Sequence, residues 1–166
     1  MTRIGILSDT HGRLDDRILT YFADVDEIWH AGDIGSADVL YRLQGVARTR
    51  AVFGNIDGYD LRLKLSKRLR FTCEGVDVLL THIAGYPGHY DASVRAELMS
   101  HPPRLLVCGH SHILRVMHDA RLQMLCVNPG AAGTYGQQTV QTLIRMAVDG
   151  PDIKDLEVIE LARKTL

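Results

Sequence analysis

Five apolar runs in this chain break off abruptly, and each breaks off on a carboxylate, an imidazole or an amide. "RIGILS" gives way to Asp9 and His11 in "SDTHG"; "EIWHAGD" ends on Asp33; "TRAVFGN" ends on Asn55; "DVLLTH" ends on His82; "RLLVCGH" runs into His110 and His112. In open α/β sheets, ligands gather beyond the carboxyl ends of the strands. Five strand ends carrying such groups point to one polar site built by residues far apart in the chain. The glycines at 12, 32, 54 and 109 beside them let the backbone turn sharply and approach closely. His110 and His112 leave the same face of an extended segment, about 6–7 Å apart along the chain. By themselves they are either a pair of metal ligands or a pair of exposed loop residues.

The alternation between these ends sets the architecture. The strand at 3–8 is followed by a helical pattern at 14–25. A second strand at 27–33 is followed by a helix over 36–45, with Ser36 as N-cap and Gly45 as stop. A third strand spans 49–55. This order predicts an α/β domain with parallel strands. The second half reads differently, with a hairpin over 68–82 around Glu74-Gly75 and a helix over 91–101 that stops before Pro102 and Pro103. A strand at 104–110, a hairpin over 115–130 around Asp119-Ala120 and a final β pair around Asp149-Gly150-Pro151 complete it. The expected fold is two packed β-sheets flanked by helices, in a single domain spanning residues 1–166. No internal repeat or linker-like tract divides it.

Composition excludes several function classes. With 19 basic and 20 acidic residues the formal charge is -1, and aromatic residues are 6%, so no extended track for nucleic acid is expected. Cys73, Cys108 and Cys126 lack CxxC spacing and lie in apolar runs, which reads as buried hydrophobes in a reducing compartment. The first residues, "MTRIGILSDTHG", carry too short an apolar run for a signal peptide or membrane span. The expected location is the cytoplasm, with no membrane partner; homo-oligomerisation stays open.

Taken together, "DTH" at 9–11, "GD" at 32–33, "GN" at 54–55, "TH" at 81–82 and "GHSH" at 109–112 resemble the calcineurin-like metallophosphoesterases, in family order. The short length and "VNPG" at 127–130 resemble the family's small bacterial and archaeal phosphodiesterase branch, which shares its fold with the vacuolar-sorting retromer subunit. The resemblance implies a four-layer αββα sandwich. It implies that Asp9, His11, Asp33 and His112 hold one metal ion, and that Asn55, His82, His110 and the shared Asp33 hold a second. Two ions so held would lie about 3.5–4 Å apart.

Such a centre suits phosphate ester hydrolysis. Two divalent ions against two carboxylates leave an excess of about +2, which welcomes an anionic phosphate. Coordination brings a water pKa from about 15.7 to near 7, so the expected mechanism is direct attack by a metal-bridging hydroxide, without a covalent intermediate. Imidazole and oxygen ligands without thiolate suit Mn²⁺, Fe²⁺, Ni²⁺ or Zn²⁺, and the resemblance favours Mn²⁺. The expected substrate is a small or nucleotide-like phosphodiester, and the candidates for direct catalytic contact are Asp33, Asn55 and His89. A protein-binding scaffold of the same fold is the alternative, although seven metal-capable groups facing a cavity without an ion would be costly.

The chain departs from the family pattern at one position. Many members have histidine directly after the "GN" asparagine, where it assists the leaving group; here that position is Ile56. Isoleucine cannot donate a proton, which favours diesters or activated esters over alkyl monoesters. His89, on the loop "GYPGHY", either replaces the missing acid or is an exposed loop residue. Asp57 is a substitute acid or, more simply, part of a turn with Gly58. His30 either orients Asp33 or, more simply, sits satisfied beneath the site, and Asn128-Pro129-Gly130 either braces the cleft or, more simply, makes a turn. His101 and His118 carry no assignment.

Overall fold

The computed structural model describes residues 1–163. The chain builds β1 (Thr2–Leu7), α1 (Asp16–Tyr21), β2 (Glu27–His30), α2 (Ala37–Gln44), β3 (Arg48–Ala51), α3 (Tyr59–Lys64), β4 (Arg68–Cys73) and β5 (Val76–Thr81). It continues through the short ribbon β6 (Gly85–Tyr86) and β7 (His89–Tyr90), then α4 (Ala92–Ser100), β8 (Leu105–Val107), β9 (Leu114–Asp119), β10 (Met124–Pro129), β11 (Val140–Asp149) and β12 (Asp152–Ala162).

Two five-stranded sheets result, in the orders β12-β11-β1-β2-β3 and β4-β5-β8-β10-β9. Each has a parallel centre, β1-β2-β3 in one and β5-β8-β10 in the other, extended by antiparallel strands. The expected parallel first half and hairpin-rich second half are both present, but the second half also holds the parallel centre β5-β8-β10 and the halves do not map one to each sheet. The last hairpin, β11–β12, returns to the first sheet and pairs with β1. Such a return depends on which edge is free once the sheets form, which no local pattern encodes.

Three apolar clusters mark the boundaries of a four-layer αββα sandwich. Alternation along β1 sends Ile4 and Ile6 to the interior between the sheets, with Trp29, Val78, Leu80, Val107, Val127 and Ile144. Leu7 instead joins Ile18 and Phe22 of the α1 region and Leu43 of α2 on the outer face of the first sheet. Val94 and Leu98 of α4 cover Leu79, Leu106 and Cys126 on the outer face of the second. The central strands are buried on both faces, which is why they read as continuous apolar runs. All three cysteines are buried and free, and burial pushes the Cys108 thiol up to about 12. Among the described residues no helix is long and apolar enough to cross a membrane.

Helix boundaries differ from the sequence reading at some ends. α1 begins at Asp16, capped by the Asp15 carboxylate on Arg17 N–H, and stops after six residues. Asp91 caps α4 by accepting from Ser93 N–H. Ser36 occupies the N-cap of α2 without a side-chain bond. Neither α3 nor the β6–β7 ribbon was expected; both are too short to carry a periodic signal.

Candidate metal centre

The parallel strands of both sheets end at one edge of the sandwich. Leu7 pairs with His30 and His30 with Ala51 in the first sheet, and Leu80 with Val107 in the second. Beyond these ends the loops stay paired: Asp9 N–H donates to Gly32 O at 3.0 Å and His11 N–H to Asp33 O at 3.0 Å. Gly109 N–H donates to His82 O at 2.9 Å, and His110 N–H reaches across the sandwich to Asp9 Oδ2 at 3.1 Å. Two glycines allow this closeness. A Cβ on Gly54 would collide with the Asp33 carboxylate, and one on Gly109 with Ser8 Oγ and Asp9 Oδ2.

All seven candidate ligands converge there. Asp9, His11 and His112 form one group of donor atoms, and Asp33, His82 and His110 another, each within 4.8 Å. His112 Nε2 lies 3.3 Å from Asp9 Oδ1, and His82 Nε2 lies 2.9 Å from Asn55 Oδ1. His110 Nδ1 is 3.1 Å from the same amide oxygen. Asp33 Oδ2 stands between the groups, 3.6 Å from His11 Nε2 and 3.3 Å from His82 Nε2. Burial alone would raise the Asp33 carboxyl, but the His82 imidazole, the Ile56 N–H and His11 hold it below the usual range. His82 responds in the opposite sense. Burial would lower it, yet Asp33, Asp9 and its bond to Ala31 O raise it.

Two further observations bear on what the groups hold. Asp9 Oδ1 and His11 Nε2 are buried with no hydrogen-bond partner, an arrangement that costs about 1–3 kcal/mol per group unless something binds them. A divalent cation fits donors of this kind. Asp9, His11, Asp33, His110 and His112 also take left-handed backbone conformations, with φ of 55°, 49°, 54°, 72° and 64°. Non-glycine residues held there cost about 1–3 kcal/mol each and cluster at functional sites.

Several supporting residues escaped a sequence reading. Asp57 is buried and accepts from Gly54 N–H at 2.8 Å, Ile34 N–H at 3.1 Å and Gly35 N–H at 2.8 Å. It ties the Asp33 loop to the Asn55 loop, so it is neither a free acid nor a simple turn residue. Asn128 lies within β10, where Nδ2 donates to Gly109 O at 3.0 Å and to Ser111 Oγ at 3.1 Å. Both readings of 128–130 hold: Gly130 N–H donates to Asn128 Oδ1 at 2.9 Å, and the Asn128 amide nitrogen braces the "GHSH" loop. The only signal for either was a polar residue close to a ligand motif. His30, read as structural, is fully buried and accepts from Gly32 N–H at 3.1 Å on Nδ1, which leaves Nε2–H to donate to Thr10 Oγ1 at 3.0 Å.

Two open cavities, each of about 350 Å³, flank the second group. One includes Asn55, His82, Arg62 and Lys67 in its lining. The other includes His110, His89, Tyr86 and Arg115. His89 is exposed there with its ring 4.9 Å from that of Tyr86. Ile56 is 48% exposed beside Asn55.

The sequence profile of the calcineurin-like phosphoesterase superfamily domain matches residues 2–150. A probable metallophosphoesterase of the archaeon Methanothermobacter thermautotrophicus is 29% identical over 163 residues, covering 94% of this chain and 91% of that one. Among solved structures, an archaeal phosphodiesterase superposes with a TM-score of 0.79 at 23% identity, over 96% of this chain and 99% of the other. Zinc-bound Vps29 of Entamoeba histolytica superposes with a TM-score of 0.75 at 14% identity, over 96% and 98% of the two chains.

Proposed function

The chain belongs to the calcineurin-like phosphoesterase superfamily, and on that premise we propose that it is a dinuclear metal-dependent phosphodiesterase acting on a small or nucleotide-like diester. The observation that carries this reading is the position of the Asp33 carboxylate, within 3.6 Å of an imidazole from each donor group. A carboxylate so placed suits a ligand shared by two ions. Asp9, His11 and His112 complete one shell, and Asn55, His82 and His110 the other. Mn²⁺ is the preferred ion, with Fe²⁺, Ni²⁺ and Zn²⁺ as alternatives. When bound, such ions neutralise phosphoryl oxygens and make a deprotonated water available near neutral pH.

The remaining chemistry belongs to the protein. Asp33 and Asn55 orient the phosphoryl group against the ions they hold. His82 is aimed by Ala31 O at 2.7 Å from its Nδ1, which leaves Nε2 toward Asn55 and Asp33. Ile56 offers no proton to a leaving alkoxide. His89, in the cavity that also includes His110, is the proton donor of this proposal. Diesters with good leaving groups, which need that proton least, should turn over faster than alkyl monoesters.

The test is to strip the protein of metal, reload it with each ion and compare bis(p-nitrophenyl) phosphate, a dinucleotide and glycerol phosphate. We expect the diesters to lead with Mn²⁺. His89→Gln should slow the dinucleotide at least about tenfold more than the nitrophenyl diester, because only the former expels an alkoxide. Faster hydrolysis of glycerol phosphate would overturn the diesterase reading. A second reading, a protein-binding scaffold with little turnover, draws on the fold likeness to Vps29 and on the exposed Ile56, Tyr59 and Leu63 that follow Asn55. Stoichiometric metal uptake with no turnover of any ester would favour it.

A further inference from the structure

The cavity on the His110 side contains a cation that the proposed chemistry does not use. Arg115 is half-buried in β9, with its guanidinium carbon 3.8 Å from the centre of the Tyr86 ring. Its position relative to the metal centre is fixed, because Arg115 is in register with Asn128, the residue that holds the "GHSH" loop. Arg17, Arg42, Arg50, Arg68, Arg70 and Arg145 each reach a carboxylate within 3.0 Å. Arg115 reaches none among the described residues, and the face of Tyr86 is its one close partner.

No carboxylate in the lining forms an ion pair with Arg115. Asp91 is part of the lining, but its carboxylate caps α4 through the N–H and the hydroxyl of Ser93. Tyr86, His89 and His110 are the other titratable groups there, and none of them is a carboxylate. A guanidinium seated 3.8 Å over an aromatic ring loses less freedom when its planar fork of N–H groups engages a ligand. That geometry suits a phosphate, which accepts two such bonds at once. The Ser111 hydroxyl supplies a further donor in the same space. The volume of about 350 Å³ is that of a small-ligand site.

We propose that this cavity receives one arm of the diester, and that Arg115 selects arms carrying a second phosphate group. The inference rests on the diesterase reading and narrows it to a substrate class: diesters with a phosphomonoester group on one substituent. Arg115 is a specificity residue here, not a participant in bond cleavage.

A matched pair of probes tests it, thymidylyl-thymidine and its 5′-phosphorylated form. For the Mn²⁺-loaded wild type, kcat/KM should favour the phosphorylated dinucleotide about tenfold, mostly through KM, and the preference should shrink as salt is raised. Arg115→Gln should bring the ratio close to one, and Arg115→Lys, which keeps the charge but loses the fork, should give an intermediate ratio. A merely structural clamp on Tyr86 would change both probes alike. Calorimetric binding of the two dinucleotides to metal-free protein provides a second readout. If neither probe is hydrolysed but the phosphorylated one binds more tightly in an Arg115-dependent manner, the subsite stands and the diesterase reading falls. Equal handling of the two probes by the wild type, or a preference that survives Arg115→Gln, overturns the subsite.

Discussion

His30 shows how a single side chain beneath the centre can set the protein's response to acid. It has no exposed surface, and burial lowers its pKa from 6.5 to about 4 despite the charges of Asp9, Asp57 and Asp33 nearby. In the neutral form its two nitrogens are already assigned, Nδ1 accepting from Gly32 N–H and Nε2–H donating to Thr10. The sign follows from proton counting. Between pH 6.5 and about 4 the unfolded chain binds a proton at this histidine and the folded chain does not, so stability falls as pH falls through that window. At pH 4.5 the loss amounts to about 2–3 kcal/mol relative to neutral pH. Urea unfolding of metal-free protein at pH 7 and pH 4.5 should show this difference for the wild type, and a smaller one for His30→Gln. An equal acid sensitivity in the variant would remove His30 as the cause.

At the level of elements, the loops that leave β2 and β3 have to be held to each other, since each carries a candidate ligand and neither is part of a ladder. Asp57 does this with one carboxylate and three backbone N–H groups. Asp57→Ala should leave those groups unpaired in a buried position, lowering stability by about 3 kcal/mol and metal affinity about tenfold or more. Urea unfolding and metal titration check the two effects; a stability within about 0.5 kcal/mol of wild type would show the loops are held otherwise. The same distinction explains what the sequence revealed. The five polar strand ends that carry the seven candidate ligands were legible because each follows an apolar run long enough to read, and their grouping into two sets came from the family resemblance. The bond set of Asp57 was not legible and the brace of Asn128 only as one of two readings, because an aspartate before glycine and an asparagine before proline have the local signature of turns, and their partners lie across the fold. The β6–β7 ribbon and α3 are held by tertiary contacts instead of periodicity. The pairing of β11 with β1 joins residues more than a hundred positions apart and leaves no local trace.

For the molecule as a whole, the centre joins two sheets at the edge where their strands end. Asp9, His11, Asp33 and Asn55 come from the first sheet, and His82, His110 and His112 from the second. Between the sheets the apolar core is continuous, with Trp29 and Phe71 in edge-to-face contact at 5.1 Å. At the ligand edge, by contrast, the layers meet through polar groups, two of them buried without partners, and through five strained backbone positions. That edge is the part of the fold that a bound ion would stabilise most. An ion that binds only the folded state adds RT ln(1 + [L]/Kd), about 2.7 kcal/mol at a concentration of one hundred times Kd. For a domain of this size the melting temperature should rise by about 5–11 °C. Calorimetric melting of chelator-treated protein, repeated with saturating Mn²⁺ or Zn²⁺, measures the rise directly. Asp33→Asn should abolish most of it, because that residue contacts both donor groups. If saturating ions leave the melting temperature of the wild type unchanged, the unpartnered atoms of Asp9 and His11 are not metal ligands and the two sheets are not linked in this way.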